Sequence, residues 1–292
     1  MKFALKSLLA AALAATAVAG QAAVVPIDSA AFVANAGQIT FTGLTVGTLN
    51  PTIAAAAYGG TGTAPDVSFG SFFVGQSLGA VGTDCPAGTA SGACIIGSPT
   101  GSLALDLANG LGAVVATDTS HSASPVLSGS PFLNGSIAML FSTLQAGISF
   151  DAGFFNAIGA VQVTAYGSNG AALGSVRNTT CGSPETVQVP GCTAPGSARN
   201  GIESIILGTN DGAAQIAGLL ISLVAPEQAG FTIDNISFGT IAPPSTSTST
   251  SSGSTSSNGG TNQTPEPTSM ALVGLALITL ALARRRRSNA AV

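Results

Sequence analysis

Short β-forming segments recur along this chain with little between them. Apolar runs rich in Val, Ile, Thr and Phe are bounded by Gly, Asn, Asp, Ser and Pro across residues 24–242, a spacing typical of strands joined by tight turns. Only 7% of the residues are charged, which excludes long helical bundles because their exposed faces need Glu, Lys and Arg. We therefore expect an all-β fold, an antiparallel β-sandwich or jelly roll. The predicted strands are 39–45, 67–74, 103–107, 113–116, 136–142, 148–155, 160–166, 171–176, 203–207, 215–224 and 231–238.

Two of these segments also predict local geometry. Residues 161–166 alternate cleanly and are followed by Asn169-Gly170, a strong hairpin signal because both residues tolerate a positive φ. In residues 231–238 the apolar positions change from odd to even numbers at Asp234-Asn235. One extra residue at that point would restore the alternation, so we expect a β-bulge there.

The N-terminal residues have the features of a secretory signal peptide. Lys2 and Lys6 precede an apolar run, and small residues follow at two candidate cleavage sites. We expect the signal peptide to span residues 1–22 and to direct export through the Sec translocon. The β-sandwich body would then cover residues 23–243. Residues 244–264 are almost entirely Ser, Thr, Gly and Asn, which predicts a flexible linker because such a segment cannot form a core.

The segment after the linker predicts a membrane anchor. Residues 270–283 are apolar and uncharged, and Arg284, Arg285, Arg286 and Arg287 follow at once. As a helix, the apolar stretch spans about 21 Å, and the arginine side chains can snorkel to reduce the mismatch with a hydrocarbon core of ~30 Å. A basic cluster stays on the cytoplasmic side. We therefore expect a transmembrane helix followed by a cytoplasmic tail over residues 288–292.

Pro265, Glu266 and Pro267 stand just before this anchor. The tripeptide, the apolar segment and the arginine cluster, over residues 265–287, resemble the PEP-CTERM sorting signal of Gram-negative bacteria. The resemblance implies recognition by exosortase, a membrane cysteine transpeptidase, and cleavage near the tripeptide while the precursor is held transiently in the inner membrane. It further implies a final place at the cell surface or outside the cell. The implied role is structural or interactive, in exopolysaccharide, biofilm or floc.

The expected body is strongly acidic. Between residues 24 and 264 there are eleven acidic residues against two basic ones, Arg177 and Arg199. Phosphate backbones would be repelled by such a surface, so nucleic acid is excluded as a partner.

All four cysteines, Cys85, Cys94, Cys181 and Cys192, lie in the expected exported body. An even number of cysteines in an oxidising compartment favours disulfides, and the simplest of the three pairings joins Cys85 to Cys94 and Cys181 to Cys192. A zinc site is the alternative, although the spacing and the lack of a nearby histidine suit zinc poorly.

The sequence predicts no catalytic residues, no enzymatic activity and no cofactor. The pattern Gly75-Gln76-Ser77-Leu78-Gly79 matches a nucleophile elbow, with Asp84, Asp106, Asp118 and the sole histidine, His121, further along. No helix start follows Ser77, as an elbow requires. A secreted serine hydrolase is therefore the second alternative function. The first is a carbohydrate-binding module, although the chain has no Trp for a stacking platform.

Structural calcium is the one candidate ligand in the sequence. Asp151, Asp211 and Asp234 lie at or near predicted turns and the predicted bulge, and they offer the hard oxygen atoms that calcium prefers. Turn and bulge formation explains the same residues equally well.

Overall fold

The computed structural model describes residues 23–34, 37–117, 125–153, 155, 157–179, 202–227 and 230–242. These residues fall within one unit, Met1–Ser245. The predicted signal peptide, linker, sorting signal and cytoplasmic tail lie outside the described residues. The strands are β1 (Val24–Pro26), β2 (Phe32–Ala34), β3 (Thr52–Ile53), β4 (Val67–Gly70), β5 (Gln76–Leu78), β6 (Ile95–Gly97), β7 (Ala113–Ala116), β8 (Val126–Gly129), β9 (Ile137–Gln145), β10 (Gly147–Gly153), β11 (Val161–Tyr166), β12 (Ala172–Arg177), β13 (Ile202–Thr209), β14 (Ile216–Leu223) and β15 (Thr232–Ile241), with a 3₁₀ helix at Ala55–Tyr58.

The strands form two main sheets with antiparallel pairing. The first sheet has the order β1-β13-β10-β15-β8-β7, and β2 pairs with the far end of β15. The second sheet has the order β12-β11-β14-β9-β4-β3. A separate hairpin joins β5 to β6. Neighbours in these sheets are seldom consecutive in the chain, so most pairings close long loops.

Four aromatic side chains, two from each main sheet, meet in the larger of two core clusters. Phe150 and Phe238 belong to the first sheet, Phe69 and Phe141 to the second, and all four are buried. The rings of Phe141 and Phe238 lie edge to face with centroids 5.4 Å apart, a favourable geometry for aromatic pairs. The two sheets therefore pack face to face. The all-β, antiparallel prediction is confirmed, whereas the jelly-roll variant is not.

Both predictions of local geometry are confirmed. The β11–β12 hairpin turns at residues 167–171, where Gly170 adopts a φ of 77°. Asn169 contributes through its side chain, whose Oδ1 accepts from the Ala171 N–H at 3.0 Å. In β15, the register passes from Asp151 opposite Asp234 to Ser149 opposite Ser237, so β15 has one extra residue in between.

Two predicted strands are wrong over most of their length. Within residues 39–45, only Ile39 pairs, through a single bridge to Ile236. The chain then turns, with a φ of 53° at Phe41 and 89° at Gly43. Within residues 103–107, only Leu105 bridges, to Phe73. Both segments contain buried apolar residues, but those residues reach the core from turns rather than from a sheet, which periodicity cannot distinguish.

Candidate functional site

Two of the predicted calcium ligands lie side by side on the outer face of the first sheet. Asp151 of β10 is directly opposite Asp234 of β15. The neighbours Phe150 and Ile233 both point into the core, and side chains alternate between the faces of a strand. Asp151 and Asp234 therefore point away from the core on the same side. Opposite residues of an antiparallel pair have Cβ atoms about 5 Å apart.

The β-bulge shapes this pair of carboxylates. Asn235 occupies the extra position with a φ of 55°, a region that Asn tolerates better than most residues. Its backbone carbonyl accepts from Gln38 Nε2 at 3.1 Å, and its side-chain Nδ2 donates to Asp151 Oδ2 at 2.8 Å. Ser204, across from Asp151 on β13, donates its hydroxyl to Asp151 Oδ1. Both oxygens of Asp151 therefore accept a hydrogen bond.

The carboxyl group of Asp234, unlike that of Asp151, is buried and has an oxygen without a hydrogen-bond partner. Its side chain is only 1% exposed, and its Oδ1 has no hydrogen-bond partner. Burial, the largest cause, and the nearby charge of Asp151 raise the pKa of Asp234 to about 7, although a hydrogen bond from the Asn235 backbone acts in the opposite direction. A carboxyl group with this pKa changes its charge near neutral pH.

The third predicted ligand, Asp211, lies elsewhere. It is exposed in the turn after β13, where its Oδ1 accepts from the Ala213 N–H at 2.9 Å. The β10–β13 register runs from Ser204 opposite Asp151 to Gly208 opposite Gly147, so Asp211 is separated from the pair by at least four strand positions, about 13 Å. Across the described ranges, no group of three or more His, Cys, Asp or Glu residues could hold a metal ion.

The residues of the hydrolase pattern do not form a nucleophile elbow in the described ranges. Ser77 is exposed within β5, and β5 pairs directly with β6 as a hairpin, whereas the elbow needs a strand, a sharp turn and a helix. Asp84 Oδ2 accepts from the Ala80 N–H at 2.8 Å within a local turn. Asp106 accepts from the Ala108 N–H at 3.0 Å. His121 and Asp118 lie outside the described residues.

One of the two predicted disulfides is present. Cys85 and Cys94 are bonded, with Cα atoms 5.9 Å apart, and the bridge closes the loop between β5 and β6. These two sulfur atoms are therefore not available as thiolate ligands for zinc. Cys181 and Cys192 lie outside the described residues, so their pairing stays a prediction.

A cleft of about 270 Å³ lies beside β13, and the sequence did not indicate it. Its polar lining includes Arg177, Thr179, Glu203 and Ser204, with apolar atoms from β12, β13 and the segment after β1. Glu203 accepts from the Thr179 N–H at 2.9 and 3.0 Å and from its hydroxyl at 2.7 Å. Arg177 Nε donates to Gln162 at 3.3 Å. The isolated basic residue in an acidic body is the one signal that could have drawn attention to this place.

Both ends of the described body meet at one turn. The Ala23 carbonyl accepts from the Asn210 N–H at 3.0 Å, and Gly212 lies against the carbonyl of Ile241. The chain therefore enters and leaves the sandwich at the same end. Asp151 and Asp234 lie toward the other end of the first sheet.

Residues 263–287 match the family described as the PEP-CTERM protein-sorting motif. The chain carries a PEP-CTERM sorting motif. The matched range contains Pro265, Glu266 and Pro267 and the four arginines, Arg284 to Arg287, as the sequence predicts. The PEP-CTERM motif implies an exported protein that exosortase sorts, with a membrane-anchored precursor. No curated protein and no solved structure matches this chain.

Among the residues that the structure describes, no helix is long and apolar enough to cross a membrane. The predicted helix over residues 270–283 falls outside that part of the chain.

Proposed function

We propose that this protein is a surface or extracellular-matrix component with a structural or interaction role in exopolysaccharide, biofilm or floc. The sorting motif at residues 263–287 carries the proposal, because it implies export and processing by exosortase. The predicted linker over residues 244–264 would separate that motif from the body.

The position of the chain ends supports an interaction role. Ala23 and Ala242 lie at the same end of the sandwich, next to the turn at residues 210–212. The opposite end of the sheets is therefore clear of the points where the chain enters and leaves the body. In the described ranges, that end includes residues 157–160, 178–179 and 230–231, which adjoin the ends of the core strands. Loops held by a rigid scaffold are common interaction surfaces.

The β7 edge of the first sheet supports a discrete body rather than a fibre paired through that strand. The outer edge of β7 is covered by residues 47–50: Gly47 N–H donates to Val115 at 2.7 Å, and Asn50 N–H donates to Ala113 at 2.7 Å. Val115 N–H in turn donates to Thr48 at 2.9 Å. Covering an edge in this way removes a template for intermolecular pairing.

The sorting step is tested with a triple variant, Pro265→Ala, Glu266→Ala and Pro267→Ala. We expect the variant to accumulate unprocessed in the inner membrane, measured by fractionation and by intact-mass spectrometry of the C-terminus. A matched control replaces Pro243 and Pro244, two prolines outside the motif, and should mature normally. Normal maturation of the triple variant would remove the sorting assignment.

The matrix role is tested in cells. A strain without this protein should form less floc or biofilm mass, and the wild-type chain should restore it, whereas the triple variant should not. Equal biofilm and floc mass in the deletion strain and the wild type would contradict the proposed role, and would leave the sorting step untouched.

A carbohydrate-binding module is the second candidate, favoured by the cleft beside β13. Its lining combines Arg177, Glu203 and Ser204 with apolar atoms, the mixture of hydrogen-bonding groups and apolar surface that small polar ligands need. The test is a glycan pull-down with the purified body. Arg177→Ala should reduce retention, whereas Asp211→Asn, an exposed change away from the cleft, should not. Absence of retention on every glycan tested would oppose this candidate.

A further inference from the structure

The buried carboxyl group of Asp234 has one oxygen that lacks a partner to stabilise a negative charge on it. Its side chain is 1% exposed, yet its Oδ1 accepts no hydrogen bond. Burying an ionised carboxylate oxygen without a partner carries a large desolvation penalty. A group in this position is either protonated or neutralised by something that approaches Oδ1.

The residues on the strands next to Asp234 provide no positive charge to balance it. Asp151 lies directly opposite on β10, and the adjacent positions on the other packed strands, Ser204 on β13 and Val126 and Ser128 on β8, carry no charge. Arg177, the basic residue of the described ranges, hydrogen-bonds Gln162 in the second sheet. No basic side chain in the described part of the molecule therefore balances the two carboxylates.

Protonation alone does not complete the site. A proton would remove the charge of Asp234, but Oδ1 would still lack the hydrogen-bond partner that a buried oxygen needs. The raised pKa of Asp234 is consistent with a carboxylate whose balancing charge is missing.

We propose that Asp151 and Asp234 bind a calcium ion on the outer face of the first sheet. Each oxygen of Asp151 accepts one hydrogen bond, from Ser204 or from Asn235, and retains a second lone pair for a cation. The ligands would be the two carboxylates, with the Ser204 hydroxyl oxygen and water completing the coordination from the solvent side.

The chemistry of the donors selects the ion. All of these groups are hard oxygen ligands, which suit calcium and magnesium rather than zinc or copper. Calcium tolerates an irregular shell, whereas magnesium demands an almost ideal octahedron. A pair set by strand register, with Asp151 half-buried and Asp234 buried, fits the more tolerant ion. This site is independent of the sorting step and of the proposed matrix role.

The test uses the purified chain stripped with a chelator at a pH above 7. Calcium at about 10 mM, roughly ten times the weakest Kd typical of extracellular calcium sites, should raise the Tm by roughly 3–6 °C. Magnesium at the same concentration should give a smaller shift. Equilibrium dialysis with radioactive calcium should show one ion per chain that is lost in Asp234→Asn.

Matched variants separate this site from general binding to an acidic surface. Asp234→Asn and Asp151→Asn should abolish the calcium-dependent shift in Tm, whereas Asp211→Asn, which removes the same charge from an exposed turn, should retain it. No calcium shift in the wild type, or an undiminished shift in Asp234→Asn, would overturn the proposal. Asp151→Asn keeps the test valid if Asp234→Asn fails to fold.

Discussion

Two acidic regions on either side of β13 handle negative charge in opposite ways. In the cleft, both carboxylate oxygens of Glu203 share the Thr179 backbone N–H, and Oε1 also accepts from the Thr179 hydroxyl. Arg177 lines the same space. On the outer face of the sheet, Asp234 is buried with an unpartnered Oδ1 and has Asp151 as its neighbour. Ser204 belongs to both regions, since it lines the cleft and donates to Asp151.

The difference shows which region already has the hydrogen-bond donors that its negative charge needs. The cleft carboxylate is stabilised by donors that the fold provides, so removing them should cost stability. The pair on the outer face has too few donors for its charge, so removing that charge should increase stability. The sign of a single neutralising substitution therefore distinguishes the two regions.

The largest effect is expected for Asp234→Asn in the presence of a chelator. Because the pKa of Asp234 is raised in the folded protein, the folded state holds a proton that the unfolded state loses as the pH rises from about 4 to 7. Stability is therefore lost over that window. The variant should be more stable than the wild type above pH 7, by up to about 4 kcal/mol, and nearly equal to it below pH 4. Urea unfolding across this pH range is the measurement, and equal stability at high pH would contradict the prediction.

A smaller effect of opposite sign is expected for Glu203→Gln. The amide keeps one acceptor oxygen and replaces the other with a donor that faces the Thr179 N–H, so we expect a loss of about 1–2 kcal/mol. Urea unfolding measures it, and a double-mutant cycle with Thr179→Val isolates the hydroxyl contribution. A stabilising result would mean that the cleft resembles the outer pair after all.

The smallest effect concerns the bulge that positions the pair. Asn235 has a φ of 55° and donates to Asp151. Asn235→Ala and Asn235→Gly both remove the hydrogen bond, but only Ala keeps the cost of a left-handed backbone. The Gly variant should therefore be more stable than the Ala variant by about 1 kcal/mol, as measured by thermal unfolding. Equal stability would indicate that the backbone rearranges.

Several local features of the fold could be predicted from the sequence because short-range physics decides them. The change of phase at Asp234-Asn235 predicts the bulge, and Asn169-Gly170 predicts the hairpin. The predicted Cys85–Cys94 disulfide, which closes a short loop, is present. Residues 39–45 alternate equally well, yet they turn at Phe41 and Gly43, because pairing with a distant strand is needed to extend a segment.

The candidate site shows the same limit. Residue type alone predicts Asp151 and Asp234 as calcium ligands. It predicts Asp211 equally, although Asp211 lies at the end of the sandwich where the chain enters and leaves. Only the β10–β15 register brings the first two together, across a long separation in sequence. The cleft at Arg177 and Glu203 combines segments from three parts of the chain, so no local sequence pattern predicts it.

The sequence by itself determined the all-β class, the bulge, the near disulfide and the sorting motif, because each depends on residues close together in the chain. The tertiary structure alone decided which strands became neighbours. That choice buried one carboxylate of a facing pair without a hydrogen-bond partner for its Oδ1 and gave Glu203 the donors of Thr179. Register between distant strands is set by the packing of the whole core, and no short segment contains that information.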